Sequence, residues 1–140
     1  MQPFRIALCQ LPAHDVDCAE ENLQAILEAL DDAGAAGAQL VVLPECSYPA
    51  YYLRDSNPWE RDGVRDYFDF LSLMADAAER HGYWLAAGMA RCTDSGELRN
   101  SAMRSSTSVA PSGPPRADAH ADIGVPATGR SGFGVVSVSG

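Results

Sequence analysis

Glu45 is the residue best placed to meet a ligand, because of what precedes it in the chain. Leu40, Val41, Val42 and Leu43 form a short apolar run, half of it β-branched, which suits a strand covered on both faces. Pro44 lacks an N–H, so it ends a ladder, and it biases Leu43 toward an extended conformation. Glu45 then falls just past the carboxyl end of the strand, the edge where open α/β sheets bind ligands. The alternative is that Glu45 only turns the chain out into water, as charged residues commonly do after buried strands.

The other chemistry-bearing residues are scattered. Cys9, Cys18, Cys46 and Cys92 form no CxxC pair, and no histidine stands at metal-ligand spacing from them. Cys9 and Cys92 lie in or beside apolar strands and read as buried thiols. His14, His81 and His120 share no motif, so no metal site is expected. All ten basic residues are arginine, and the chain holds no lysine. Cys46 neighbours Glu45, but adjacent side chains of an extended segment point to opposite sides, which argues against the two acting together.

The elements that must position Glu45 follow from periodicity. Strands are expected near residues 4–11, 39–43 and 83–91, and helices near 18–33 and 64–81. Asp17 suits an N-cap, with Glu20 completing a capping-box-like pair. Leu23, Ile26, Leu27 and Leu30 make the apolar stripe of the first helix, and Gly34 or Gly37 its stop. Phe68, Leu71, Ala75 and Ala78 make that of the second, widened by Val64, Phe70 and Met74, with Gly82 at its end. Asp94–Gly96 is a turn signal, and residues 98–103 return as a further strand. The order β-α-β-α-β-β calls for an α/β fold, a largely parallel sheet flanked by helices.

The loop from Cys46 to Asp62 is long and aromatic, a common feature of functional loops. Tyr48, Tyr51, Tyr52 and Trp59 are its substrate-pocket candidates; the alternative is that these rings pack the loop onto the body. After Met103 the character changes. Residues 104–132 are rich in Ser, Pro, Gly and Ala, with too little to bury against the entropy of ordering, and read as linker or disorder. Residues 133–140 offer a terminal strand.

Composition narrows the function classes. A length of 140 residues suits one domain with a real core. A net charge of -9 leaves no basic face for nucleic acid or anionic lipid. No apolar run approaches the length that spans a bilayer, and the N-terminus lacks the regions of a signal peptide, so the expected compartment is the cytoplasm.

Five segments together resemble the N-terminal half of the nitrilase superfamily, the carbon–nitrogen hydrolases. They are Arg5-Ile6-Ala7-Leu8-Cys9-Gln10, Glu21-Asn22-Leu23, Gln39 to Glu45, Leu85-Ala86-Ala87-Gly88 and Glu97-Leu98-Arg99-Asn100-Ser101-Ala102. The resemblance implies that residues 1–103 form part of an α-β-β-α sandwich, the N-terminal half of a domain that is homo-oligomeric through that sandwich. It implies hydrolysis of small-molecule amides, ureido compounds or nitriles without metal or organic cofactor. The family uses a Glu–Lys–Cys triad, in which a thiolate attacks, a glutamate moves the proton and a lysine stabilises the tetrahedral intermediate.

Of that triad only the glutamate carries over, as Glu45, the general base. The place of the lysine falls in the Ser/Pro/Gly-rich stretch, and the final segment stops short of the nucleophile. The chain as it stands is therefore expected to be inactive. Two explanations fit: a truncated or frame-disrupted product with residues from Arg104 partly out of register, or a non-catalytic binding or dimerisation module derived from the fold. A flavodoxin-like domain is disfavoured, because the Pro12–Val16 loop has no phosphate cradle.

Overall fold

The computed structural model describes residues 4–54, 57–105 and 134–138. The reading of a linker over 104–132 therefore falls outside the described residues except at Arg104 and Ser105, which belong to a strand. The elements are β1 (Phe4–Leu8), α1 (Ala19–Ala35), β2 (Leu40–Val42), α2 (Tyr67–His81), β3 (Trp84–Cys92), β4 (Leu98–Ser105) and β5 (Gly134–Val138). They form one sheet in the order β4-β3-β2-β1-β5. The inner strands β1, β2 and β3 are parallel, with Ala7 beside Val41 and Val41 beside Leu85. Each edge strand is antiparallel to its neighbour, a common arrangement around a parallel core.

The two faces of the sheet differ. Both helices pack against one face, where Val41, Leu85, Ala87 and Met89 are buried against Ile26, Leu30, Phe70 and Met74. The opposite face carries Ile6, Leu40 and Trp84 in one row and Leu8, Val42 and Ala86 in the next. There Leu8 and Trp84 are exposed, and Leu40 and Val42 only half-buried. The expectation that β2 is covered on both faces is thus corrected: among the described residues, apolar groups cover one face only.

Other corrections have local causes. The ladder of β1 stops at Leu8 rather than Leu11, although the N–H of Cys9 still donates to the carbonyl of Val42 at 2.9 Å. Asp17 does not cap α1. A 3-10 turn, Val16–Cys18, precedes the helix; Asp15 caps it by accepting from the N–H of Asp17 at 3.3 Å, and Cys18 stands at the α1 N-cap without a side-chain bond. The freed carboxylate of Asp17 pairs with Arg61. Gly34 does not stop α1 but lies inside it, where a Cβ would come within 2.3 Å of the His81 ring.

The start of α2 is three residues later than expected, capped by Asp66, which accepts from the N–H of Phe68 at 2.8 Å. Gly82 ends it with φ of 73°, a conformation that costs glycine little. Its buried face is Phe70, Leu71, Met74, Ala77 and Ala78. Phe68 projects from the far side and is 71% exposed, so its place in the core stripe is corrected. The helices are tied together at one end, where Asp31 pairs with Arg80 at 3.0 Å and with Nε2 of His81 at 2.8 Å.

Candidate active site

Glu45 stands where the chain leaves β2 and crosses the carboxyl end of β3. The N–H of Leu43 still donates to Ala86 of β3 at 2.8 Å, and the N–H of Ser47 donates to Gly88 at 2.8 Å. Between these two bonds the backbone of Pro44 and Glu45 lies against Gly88. A Cβ at Gly88 would sit 2.8 Å from both Cα of Glu45 and the carbonyl oxygen of Pro44, closer than real side chains approach backbone. Glycine is needed there for close approach rather than for an unusual φ.

The turn after Glu45 is held from inside. The hydroxyl of Ser47 donates to the carbonyl of Pro44. Asn22, buried near the start of α1, donates from Nδ2 to the carbonyls of Ser47 at 2.6 Å and Pro49 at 3.0 Å. Buried carbonyls left without partners would be costly, so Asn22 fixes the path of this turn. The carboxylate of Glu45 is exposed and accepts a hydrogen bond from Nδ2 of Asn100 on β4.

Cys46 has φ of 47°, so the segment is not extended at this point. Glu45 and Cys46 are therefore not forced to opposite sides, as an extended segment would require: Sγ of Cys46 lies 4.0 Å from Oδ1 of the same Asn100. The environment nonetheless disfavours the thiolate. Burial pushes the Cys46 thiol up, and the negative charge of Glu45 pushes it further in the same direction. A thiol held neutral is a poor nucleophile.

The four aromatic candidates separate. Tyr48 is fully buried, stacked on Phe70 at 4.6 Å between centroids, and its hydroxyl accepts from the N–H of Arg65 at 2.6 Å. Trp59 meets Tyr48 edge-on and donates from Nε1 to the carbonyl of Ala90 at 3.1 Å. Both rings anchor the loop to the body. Tyr52 is exposed and meets Tyr51 edge-on. Only Tyr51 of the four lines the small cavity beside Glu45, together with Leu11, Pro12, Asn22 and Cys46. Two ion pairs, Arg54–Asp15 and Arg61–Asp17, join this loop to the segment before α1, and backbone bonds link Tyr52 to His14 and Val16.

Sequence reasoning missed Asn100 and Gly88 as parts of this site. Asn100 stands 55 residues from Glu45, and nothing in its own neighbourhood points there. Gly88 did carry a signal, since a lone glycine within an apolar strand often marks a close backbone approach. Among the described residues no cluster of His, Cys, Asp and Glu could hold a metal ion. No helix among them is long and apolar enough to cross a membrane.

Comparison with known proteins bears on this geometry. Residues 5–107, which run from β1 past the end of β4, match the carbon–nitrogen hydrolase family. Curated proteins give no match. An amidase from Nesterenkonia sp. superposes with a TM-score of 0.60 at 24% identity, over 74% of this chain and 38% of that one. A variant of the amidase from Nesterenkonia sp. AN1 in complex with butyramide superposes with a TM-score of 0.59 at 24% identity, over 74% and 39%. A glutamine-dependent NAD(+) synthetase from Cytophaga hutchinsonii superposes with a TM-score of 0.52 at 18% identity, over 76% and 17%. At these identities the likeness shows the fold. This chain spans about two fifths of the length of those amidases. The α/β layer described above is part of a nitrilase-type fold, and the protein belongs to the carbon–nitrogen hydrolase family.

Proposed function

We propose that this chain carries the general-base portion of a site that hydrolyses C–N bonds of small-molecule amides, with ureido compounds and nitriles as related substrates. Glu45 is the base. It takes the proton of an attacking thiol and later that of water, while the cavity wall at Tyr51 borders the substrate. The observation that supports this best is the placement of an exposed carboxylate at the carboxyl end of β2, fastened by Asn100, in a chain of this family. The residues present supply no lysine, and Cys46 is held as a neutral thiol. The covalent step therefore needs a nucleophile and a cation beyond those described.

By themselves the 140 residues are inactive in this proposal. A lone carboxylate contributes general-base help of only roughly 10²–10⁴-fold. Enzymes reach about 10⁶-fold or more. The test is hydrolysis of a panel of aliphatic amides, ureido acids and nitriles by three proteins: this chain, a longer chain that supplies the lysine and cysteine, and that longer chain with Glu45→Gln. The expected result is turnover by the second alone. Robust turnover by the 140-residue chain, or undiminished turnover after Glu45→Gln, overturns the proposal. A second reading, a non-catalytic association module, is favoured by the apolar sheet face that none of the described residues covers. Absence of turnover in the longer chain would select it.

A further inference from the structure

Asn100 lies on β4 opposite Ala90 of β3. Its side chain meets two different groups. Nδ2 donates to Oε1 of Glu45, and Oδ1 stands 4.0 Å from Sγ of Cys46, placed to accept the thiol hydrogen. A carboxylate only accepts and a neutral thiol donates weakly, so an amide presents the matching end to each. A carboxylate at position 100 would face Glu45 with like charge, and an aliphatic side chain would offer neither bond.

The backbone of Glu45 is located separately. Gly88 admits its Cα, and the bonds of Leu43 and Ser47 to β3 pin the residues on either side. What these contacts do not settle is the direction of the carboxylate, which swings about the bonds of an exposed, flexible side chain. Only Asn100 settles that among the described residues.

We propose that Asn100 is the positioning residue of Glu45: it engages Oε1, leaves Oε2 to act on a bound substrate, and turns the Cys46 thiol toward its own carbonyl instead of toward the carboxylate. This inference rests on Glu45 being the base, yet the orientation it asserts exists whether or not the chain turns over substrate.

The test uses the ¹⁵N-labelled 140-residue chain and reads hydrogen exchange at the Asn100 side-chain amide by NMR. Because both side chains stay open to water, the expected protection relative to Glu45→Ala is roughly three- to tenfold, the size of an ordinary net hydrogen bond. Glu45→Gln keeps an acceptor oxygen and retains part of that protection, which a merely structural role for Asn100 does not predict. Backbone exchange in β3 and β4 stays unchanged and reports the intact sheet. Should Glu45→Ala fail to fold, Asn100→Leu answers the same question through the ¹³Cδ resonance of Glu45, which moves if the amide holds the carboxylate. Equal exchange rates in the parent and Glu45→Ala, or an unmoved Cδ resonance in Asn100→Leu, overturn the proposal and leave the role of Glu45 as base standing. Failure of the longer chain to hydrolyse amides would instead remove that role and leave the measured contact intact.

Discussion

Substituting Gly88 by alanine tests how closely β3 and the Glu45 turn are packed. The added Cβ would meet Cα of Glu45 and the carbonyl oxygen of Pro44 at 2.8 Å, with the N of Glu45 at 3.3 Å. All three are backbone atoms, so no flexible side chain can move aside. Overpacking of this kind costs about 1–3 kcal/mol. Gly88 does not have a positive φ, so alanine also recovers about 0.4–1 kcal/mol by restricting the unfolded chain. The net loss expected is about 1–2 kcal/mol, several degrees in melting temperature for a domain of this size. The assay is urea unfolding followed by tryptophan fluorescence, with the Asn100 side-chain amide as a second signal. Stability should fall and the Asn100 signal should shift, since Glu45 is pushed off its seat. Gly63→Ala is the contrast: it meets nothing within 4 Å but has φ of 82°, so it loses stability by strain without touching Asn100. Unchanged stability and an unmoved Asn100 signal in Gly88→Ala would refute the close-approach argument.

Three further outcomes are expected. Phe70→Ala should cost about 3–5 kcal/mol, as a fully buried ring stacked on Tyr48, whereas Phe68→Ser should stay within about 0.5 kcal/mol; equal losses in chemical unfolding would contradict the helix orientation. Burial, and behind it the negative charges of Asp31 and Cys9, pushes the Tyr83 hydroxyl up to about 12. An unfolded tyrosine ionises at about 10. The native state then holds a proton that the unfolded state has lost, so stability should fall as pH rises from about 10 through about 12; a slope that Tyr83→Phe leaves unaltered would exclude Tyr83 as its source. The open sheet face should bind an apolar dye and promote association, and Leu8→Lys should reduce both; scattering from a monodisperse monomer without dye binding would count against an exposed apolar face.

The parts of this protein legible in the sequence are those whose causes are local. Apolar spacing placed both helices and the inner strands, and Pro44 marked where β2 ends, because the missing N–H acts within one residue. Gly82 did the same for the end of α2. Phe68 misled because its spacing to Leu71 and Ala75 fits a helical stripe; the face that is buried runs instead through Phe70, Leu71, Met74, Ala77 and Ala78, which leaves Phe68 in the first turn on the solvent side. Asp17 misled because two acids lie within reach of the cap, and the 3-10 turn chose Asp15.

Glu45 itself was visible as a carboxylate at a strand end, but its surroundings were not. Its contact with Asn100 depends on the register of β3 against β4, which sets Ala90 opposite Asn100 and Gly88 opposite Ala102. Which aromatic of the loop lines the cavity depends on Phe70 and Ala90 capturing Tyr48 and Trp59 and leaving Tyr51 outside the core. Sequence determines where a carboxylate can leave a strand, since dihedral preference and periodicity act over a few residues. Tertiary structure alone decides which distant side chain meets it, since that distance is fixed by strand register and by packing summed over the whole sheet.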